Sequence, residues 1–434
     1  MLPLLNLKAQ MQTITPVHTI DASITVPGSK SLSQRALLAA ALGEGESLLR
    51  DPLDSEDTQL LSAALRAFGV QVDCTDARCW RVRGLGGRLQ RPSAPLYLGN
   101  NGTATRLLTS IAGLASGTVH ITGDERMAER PIAPLISALQ GWGVVIKSDL
   151  DNGCPPLTIK GQGIRGGATE LRAGQSSQYL SSLLLVAPYA QERAEIRVAG
   201  KLYSRPYVDM TLAVMREFGA EVEANSELTH FVIPRGAYQA RDYAIEGDAS
   251  SASYFFAAAA ICNGQVRVEN LPLPSLQGDA RFLELLEHMG CTIRRESHGV
   301  SVQGIAELRA VEADMGDMPD VAPTLAVVAA FANGISSIRN IAHLRVKESD
   351  RVSAVVAELR RLGVEVREEE DAMHIHGRGG SGLHGARIQT YNDHRIAMSF
   401  ALAGLRISGV EIEDELCVVK SFPDFWQRFQ VLQY

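Results

Sequence analysis

The sequence is poor in several things, and each shortage excludes something. Aromatic residues make up 6% of the 434 positions, and only six residues are cysteine. Cys74, Cys79, Cys154, Cys262, Cys291 and Cys417 are scattered, with no Cys-x-x-Cys pair and no histidine at zinc spacing beside them. A disulfide framework and a structural zinc site are therefore not expected, and free thiols in a reducing cytosol are. No apolar run reaches the roughly 18 residues that a membrane span requires. The richest stretch, Tyr254 to Cys262, is half that length. Positive charge is not in excess either: 42 Lys and Arg stand against 49 Asp and Glu, a formal net charge of −7. That argues against a broad nucleic-acid or membrane surface, though not against a small local cluster of cations. Met1 to Leu7 is apolar but has no basic start and no small-residue cleavage site, so a signal peptide is not expected, and translation could begin at Met11. Phosphate-loop, zinc-protease and nucleophile-elbow motifs are all absent. Gly161-Gln-Gly163-Ile-Arg-Gly166 matches a dinucleotide fingerprint only on paper, because no apolar helix follows it.

What the chain does have is apolar content, 45%, ample for two or three domains. It also has a period. Gly69, Gly143, Gly219, Gly290 and Gly363 each follow a helical pattern and precede a β-branched or apolar run, at spacings of 74, 76, 71 and 73 residues. Glycine just past a last helical turn is the usual left-handed cap. A second series runs in step with the first. Small polar starts at Gly28, Gly99, Gly174, Gly247, Asp317 and Tyr391 each open an Ala/Leu-rich helix, at spacings of 71, 75, 73, 70 and 74. Six units of about 72 residues would fill the chain. The first helix of each unit is apolar on nearly all sides and is expected to be buried; the second carries charges and is expected outside. Two compact halves of three units fit this better than an open solenoid. The predicted division is 29–246 for one domain and 1–28 plus 247–434 for the other, with hinges near 28 and 246 and an N-terminal strand within Thr13 to Val26.

The chemistry sits at the helix starts. A helix N-terminus offers unpaired N–H groups and a partial positive charge, so it favours anions. Capping alone needs one side chain. These starts supply several: Ser29, Lys30, Ser31, Ser33 and Arg35; Asn100, Asn101, Gly102, Thr103, Thr105 and Arg106; Ser176, Ser177 and Gln178; Asn392, His394 and Arg395. Further cations lie in GDERMAERPI, with Arg126 and Arg130, in VKESDR, with Lys347 and Arg351, and at Lys420. In the first of these, Pro131 suits a first helical position. The pattern points to a site for phosphate-bearing small molecules.

The motifs GSKSLSQRALL, LGNNGTATRLL, DERMAERPI, QSSQYLSSLL, SRPYVDMTL, EGDASSASYF, RVKESDR, YNDHRIAMSFAL and VVKSFPDF together resemble the 5-enolpyruvylshikimate-3-phosphate synthase family, from about residue 13 to the C-terminus. The resemblance implies a two-domain inside-out α/β barrel fold, built of six βαβαββ units, three per domain, with helices packed inside. It implies transfer of the enolpyruvyl group of phosphoenolpyruvate to the 5-hydroxyl of shikimate 3-phosphate, by addition and elimination, with loss of phosphate. It implies no metal and no organic cofactor. The expected partners are those two small molecules, with no nucleic acid and no membrane, and the expected protein is a cytoplasmic monomer.

By the same resemblance, Lys30, Ser31, Arg35, Ser176, Ser177, Gln178, Ser204 and Tyr207 hold shikimate 3-phosphate, with Asp320 and Lys347. Lys30, Asn100, Gly102, Arg130, Gln178, Arg351, Arg395 and Lys420 hold phosphoenolpyruvate. Asp320 is the implied base for the 5-hydroxyl, Glu348 the implied proton donor to the methylene carbon, and Lys30 touches both substrates as part of the catalytic set. Arginine's planar fork suits carboxylate and phosphate. The sequence departs from the family pattern at Asn101, Thr105 and Leu107, where Ala, Met and Pro are usual, and at His343, where Asn is usual. Retained Gly102 leaves room for a phosphonate inhibitor such as glyphosate. The sister enzymes acting on UDP-N-acetylglucosamine use a cysteine in the loop that reads GDERMAERPI here, and no cysteine lies between Cys79 and Cys154. The polar start at Asp248 carries no cation and is expected to be structural.

Overall fold

The structure is a computed structural model that describes residues 11–174, 176–297 and 299–433. The expectation that the first ten residues form an extension lies outside them. The chain divides into two compact units, Gly28–Glu246, and Met1–Pro27 with Gly247–Tyr434.

In Gly28–Glu246 the helices are α1 (Lys30–Leu42), α2 (Glu56–Ala67), α3 (Gly102–Ala112), α4 (Ala133–Gly141), α5 (Gln178–Val186) and α6 (Arg205–Glu217). Three sheets of four strands accompany them, all built alike. Strand Glu44–Arg50 pairs parallel with Asp242–Ala244 and antiparallel with Cys79–Leu85, which pairs antiparallel with Gln71–Asp73. Gly117–Thr122 and Ala194–Ala199 are the corresponding strands of the other two sheets, each with one parallel and one antiparallel neighbour.

In the other unit the helices are α7 (Ala249–Ile261), α8 (Phe282–His288), α9 (Ala322–Ala330), α10 (Arg351–Arg361), α11 (His394–Gly404) and α12 (Phe425–Gln430). Gln265–Val268 and Ala332–Arg339 repeat the same pairing pattern. The third sheet is shorter, with Glu411–Ile412 parallel to Arg387–Ile388 and antiparallel to Gln12–Thr13. The single N-terminal strand expected over Thr13 to Val26 is two pieces, Gln12–Thr13 and Asp21–Ile24, in different sheets of this unit. Pro16 sits between them and has no N–H to give a ladder, so pairing stops there.

Helices α1, α3, α5, α7, α9 and α11 are buried along nearly their whole length; in α7 all 13 residues are inside. Alanine, serine and threonine let them approach closely, and their hydroxyls pair with each other rather than stay unsatisfied. Ser110 and Ser182 Oγ atoms lie 2.6 Å apart, Thr211 Oγ1 donates to Ser181 Oγ at 2.8 Å, and Thr324 meets Ser399 at 3.2 Å. The outer helices bury one face only. Gly69, Gly143, Gly219, Gly290 and Gly363 all follow an outer helix with positive φ, from 82° to 112°, as the spacing predicts. Pro131, by contrast, stands two residues ahead of α4, where Ile132 is the cap and Pro134 the proline of the first turn.

One contact sets how far each buried helix enters. Gly84, Gly161, Gly304 and Gly377 lie where a Cβ would overlap main-chain carbonyls at the C-terminal end of α1, α3, α7 or α9. A methyl group there pushes helix and sheet apart. Gly377→Ala is expected to cost about 1–3 kcal/mol through overpacking against Ala329 and Ala332. A thermal melt should show the midpoint lowered by several degrees; an unchanged midpoint would mean that the contact has slack.

Candidate active site

In Gly28–Glu246 the polar starts form a connected set. Ser29 caps α1, its Oγ accepting from Leu32 N at 3.4 Å, which leaves Lys30 as the first helical residue. Lys30 Nζ lies 3.3 Å from Asp57 Oδ2, and the Asp57 side chain is buried at the start of α2. Arg35, one turn into α1, is fully buried. Its nitrogens donate to Thr211 Oγ1 at 2.8 Å, Ser31 O at 3.0 Å, and Ser181 Oγ and Tyr207 O at 3.3 Å. Among the described residues no carboxylate bonds to it. Burial pulls its pKa down to about 10. Ser204 precedes α6 in a left-handed conformation, φ 56°, and Tyr207 lies in that helix's first turn with its ring 5.9 Å from the Arg35 guanidinium. At the start of α5, Ser177 is the buried cap and Ser176 Oγ accepts from Gln178 N at 3.2 Å. Gln178 bridges two groups of α3, accepting from Arg106 Nη1 at 2.7 Å and donating to Thr103 Oγ1 at 2.9 Å.

Arg130 is buried and donates to both Asn100 O, 2.9 Å, and Asn100 Oδ1, 2.7 Å. Its guanidinium lies against Gly102, where any Cβ would overlap it. Asn101 caps α3 through Ala104 N at 2.9 Å, and its amide donates to Asp57 O at 2.8 Å. The departure at Asn101 thus ties the α3 start to the residue that holds Lys30. Thr105 turns inward and bonds its own helix at Asn101 O, 2.9 Å.

The other unit carries a denser cluster. Asp320 sits in a short 3-10 turn, Pro319–Val321, that leads into α9. Its Oδ1 accepts from Arg351 Nη1 at 3.1 Å and its Oδ2 from Arg395 Nη2 at 2.8 Å. Arg351, the first residue of α10, also donates to Glu348 Oε2 at 2.8 Å and to Asp393 at 2.8 and 3.2 Å. Asp393 is wholly buried, caps α11 through Arg395 N at 3.0 Å, and accepts from Ser349 Oγ at 3.0 Å. Burial alone would lower the Arg351 pKa, but Asp393, Glu348 and Asp320 together hold it above the ordinary value. The same contest at Arg395 is won chiefly by Asp320. Tyr254 Oη accepts from Arg395 Nη1 at 3.3 Å, and burial pushes that phenol up to about 12. Asp279 is buried with its carboxylate on Ser250 Oγ. Lys420 is buried at the end of a 3-10 segment, Glu415–Lys420, and Lys347 follows another, Ala342–Val346, in which His343 is buried. Asp248 caps α7 by accepting from Ser251 N at 2.7 Å.

The expected site residues therefore fall into one set per unit. Asp57, Asp279 and Asp393 join them without having been singled out in the sequence, as does Arg106, which was noted only among the cations of a helix start. Asp57 and Asp393 look like ordinary helix caps in sequence, and only the cation beside each reveals more.

A model of the EPSP synthase (3-phosphoshikimate 1-carboxyvinyltransferase) family matches residues 14–429. The chain belongs to the EPSP synthase family. It is 43% identical over 411 residues to the 3-phosphoshikimate 1-carboxyvinyltransferase of Trichormus variabilis, covering 94% of this chain and 96% of the relative. With the enzyme of the same name from Methanothermobacter thermautotrophicus it shares 45% over 416 residues, 96% of this chain and 97% of that one. The EPSP synthase structure from Acinetobacter baumannii superposes with a TM-score of 0.82 at 28% identity, covering 98% of both chains. As an EPSP synthase the chain is an enolpyruvyl transferase of the shikimate pathway, with the mixed α/β fold of that family.

Two outcomes are expected. Gly102→Ala must displace the Arg130 guanidinium, and should raise the KM for phosphoenolpyruvate while leaving that for shikimate 3-phosphate within about twofold; equal rises in both would refute the local effect. The second concerns Asp279, whose carboxyl is pushed up to about 7, first by burial and then by Asp320, against Arg395 and Ser250. Its folded pKa lies above the unfolded one, so the folded state binds the proton more tightly and stability falls as pH rises from about 4 to about 7. Asp279→Asn removes that titration. Denaturant titrations should show the variant gaining on the parent across this window and levelling above it; a pH-independent difference would contradict the assignment.

Proposed function

We propose that residues of both sets hold the substrates of enolpyruvyl transfer. The reaction joins the 5-hydroxyl oxygen of shikimate 3-phosphate to the central carbon of phosphoenolpyruvate and releases phosphate. Lys30, Ser31, Arg35, Ser176, Ser177, Gln178, Ser204 and Tyr207 receive the shikimate phosphate and ring, with Asp320 and Lys347. Arg35 supports this reading, since a buried guanidinium with no carboxylate partner among the described residues suits a phosphate ester. Arg351, Arg395 and Lys420, together with Lys30, Asn100, Gly102, Arg130 and Gln178, receive the phosphate and carboxylate of phosphoenolpyruvate.

One observation carries the mechanistic part. Asp320 is clamped by Arg351 and Arg395, and Glu348 shares Arg351. An incoming carboxylate or phosphate competes with Asp320 and Glu348 for those arginines, which frees the two carboxyl groups to act on the substrates. Asp320 then removes the 5-hydroxyl proton as the C–O bond forms, while Glu348 protonates the methylene carbon. The tetrahedral intermediate next returns a proton from its methyl group to the Glu348 carboxylate as the C–O bond to phosphate breaks, which restores the double bond and releases phosphate. Lys30 assists both steps by balancing charge near both substrates.

The finer fold reading belongs to the same proposal: each unit is an inside-out α/β barrel of three βαβαββ repeats. Like pairing patterns in the sheets and the buried helices support it. The two units Gly28–Glu246 and the remainder then correspond to the two domains, the first mainly on the shikimate 3-phosphate side. Among the described residues no helix is long and apolar enough to cross a membrane, and a cytoplasmic monomer is part of the proposal.

Phosphate release from phosphoenolpyruvate should depend strictly on shikimate 3-phosphate, and release driven by UDP-N-acetylglucosamine instead would reject the reading. Asp320→Asn and Glu348→Gln should each lower kcat by about 100-fold or more, with Arg351 and Arg395 still supporting ligand binding. Full turnover in either variant would remove that residue's role.

A further inference from the structure

Glu358 is a buried charged group that the mechanism above does not use. It lies on α10 with its side chain fully enclosed. A buried carboxylate is less favourable than an apolar residue of the same size unless its partners require it. Its partners are specific. Tyr391 Oη donates to Oε1 at 2.8 Å, Gln389 N donates to Oε2 at 3.2 Å, and Arg361 Nε stands 3.3 Å from Oε1. Burial raises the Glu358 pKa, and the Tyr391 and Gln389 bonds oppose that rise.

The segment that Glu358 grips is strained. Tyr391 and Asn392 both have positive φ, 55° and 52°. Two successive non-glycine residues in the left-handed region are uncommon, Tyr391 more so than Asn392, and persist where surrounding contacts enforce them. The next residue is Asp393, which holds Arg351 through two nitrogens and starts α11 two residues before Arg395. Glu358 and Arg351 are seven residues apart on α10, about two turns, and so share one face. One face of α10 therefore contacts the segment before α11 twice, through Arg351 on Asp393 and through Glu358 on Tyr391.

We propose that Glu358 is a positioning residue for the phosphoenolpyruvate-binding arginines: it fixes the Tyr391–Asn392 turn so that Asp393 sets Arg351 and Arg395 at their required separation. The inference rests on the assignment of those arginines to phosphoenolpyruvate. Glu358 itself touches neither substrate. Its loss leaves the arginines in place as side chains but frees the turn between them.

Steady-state phosphate release on the full chain tests this with Glu358→Gln, Tyr391→Phe and the double variant. Gln keeps the shape but cannot accept from both Gln389 N and Tyr391 Oη with the same strength, and Phe removes only the hydroxyl. Each single variant should raise the KM for phosphoenolpyruvate by about fivefold, within the range for the loss of one intramolecular hydrogen bond. The KM for shikimate 3-phosphate should stay within about twofold, and the double variant should be no worse than the more affected single one. A merely structural role would lower the melting temperature and the active fraction while leaving both KM values alone, and that result overturns the proposal. Should Glu358→Gln fail to fold, Tyr391→Phe decides in the same way. Arg395→Lys is the control. If it raises the KM for phosphoenolpyruvate and the Glu358 and Tyr391 variants do not, the positioning role alone falls. If it does not, the arginine assignment falls and takes the positioning role with it.

Discussion

A helix enclosed on every side can present polar groups only at its ends. Six of the helices here are enclosed in that way, and the consequences run through both units. Their flanks must be small and apolar or carry hydroxyls that find one another, as Ser110 finds Ser182. The C-terminal ends of four of them, α1, α3, α7 and α9, are pressed against glycines in or next to strands. What remains for chemistry is the N-terminal turn, where main-chain N–H groups already favour anions. Lysine, arginine, asparagine and serine at those turns add donors to a field that exists without them.

Buried cations then have to be stabilised, and the two units do so differently. Arg35 relies on hydroxyl and carbonyl dipoles, and burial lowers its pKa. Arg351 relies on three carboxylates and is held firmly charged. Under the proposed function, an arriving anion would supply Arg35 with a countercharge and would compete with carboxylates for Arg351, while Asp393 is fastened by Ser349 and by the first turn of α11 as well as by Arg351.

The periodic features of the sequence were the legible ones. Cap glycines and polar starts recur because each satisfies a local backbone requirement, so spacing alone located all five capped outer helices and the polar turns ahead of the inner ones. Individual motifs also pointed to Asp320 and Glu348, through their family resemblance. Partnerships were not legible. Nothing local distinguishes Asp57, which faces Lys30, from any acid in a first helical turn, and Glu358 reads as a surface residue of a charged helix. The pairing of Asn101 with the Asp57 carbonyl spans 44 positions, beyond any local pattern. The N-terminal strand expected over Thr13 to Val26 is two short pieces, Gln12–Thr13 and Asp21–Ile24, with Pro16 between them.

The strand glycines bear on how variants of such a protein are interpreted. A helix of 13 residues such as α1 is about 20 Å long, and it transmits an axial shift from one end to the other almost undiminished. A bulkier residue at Gly84 would therefore be felt at Lys30, although the two sit at opposite ends of the same rod. In a random-mutagenesis selection for altered substrate use or inhibitor tolerance, replacements at these glycines would surface among the survivors. They would look like long-range effects with no visible route, when the route is a single rigid helix acting as a pushrod.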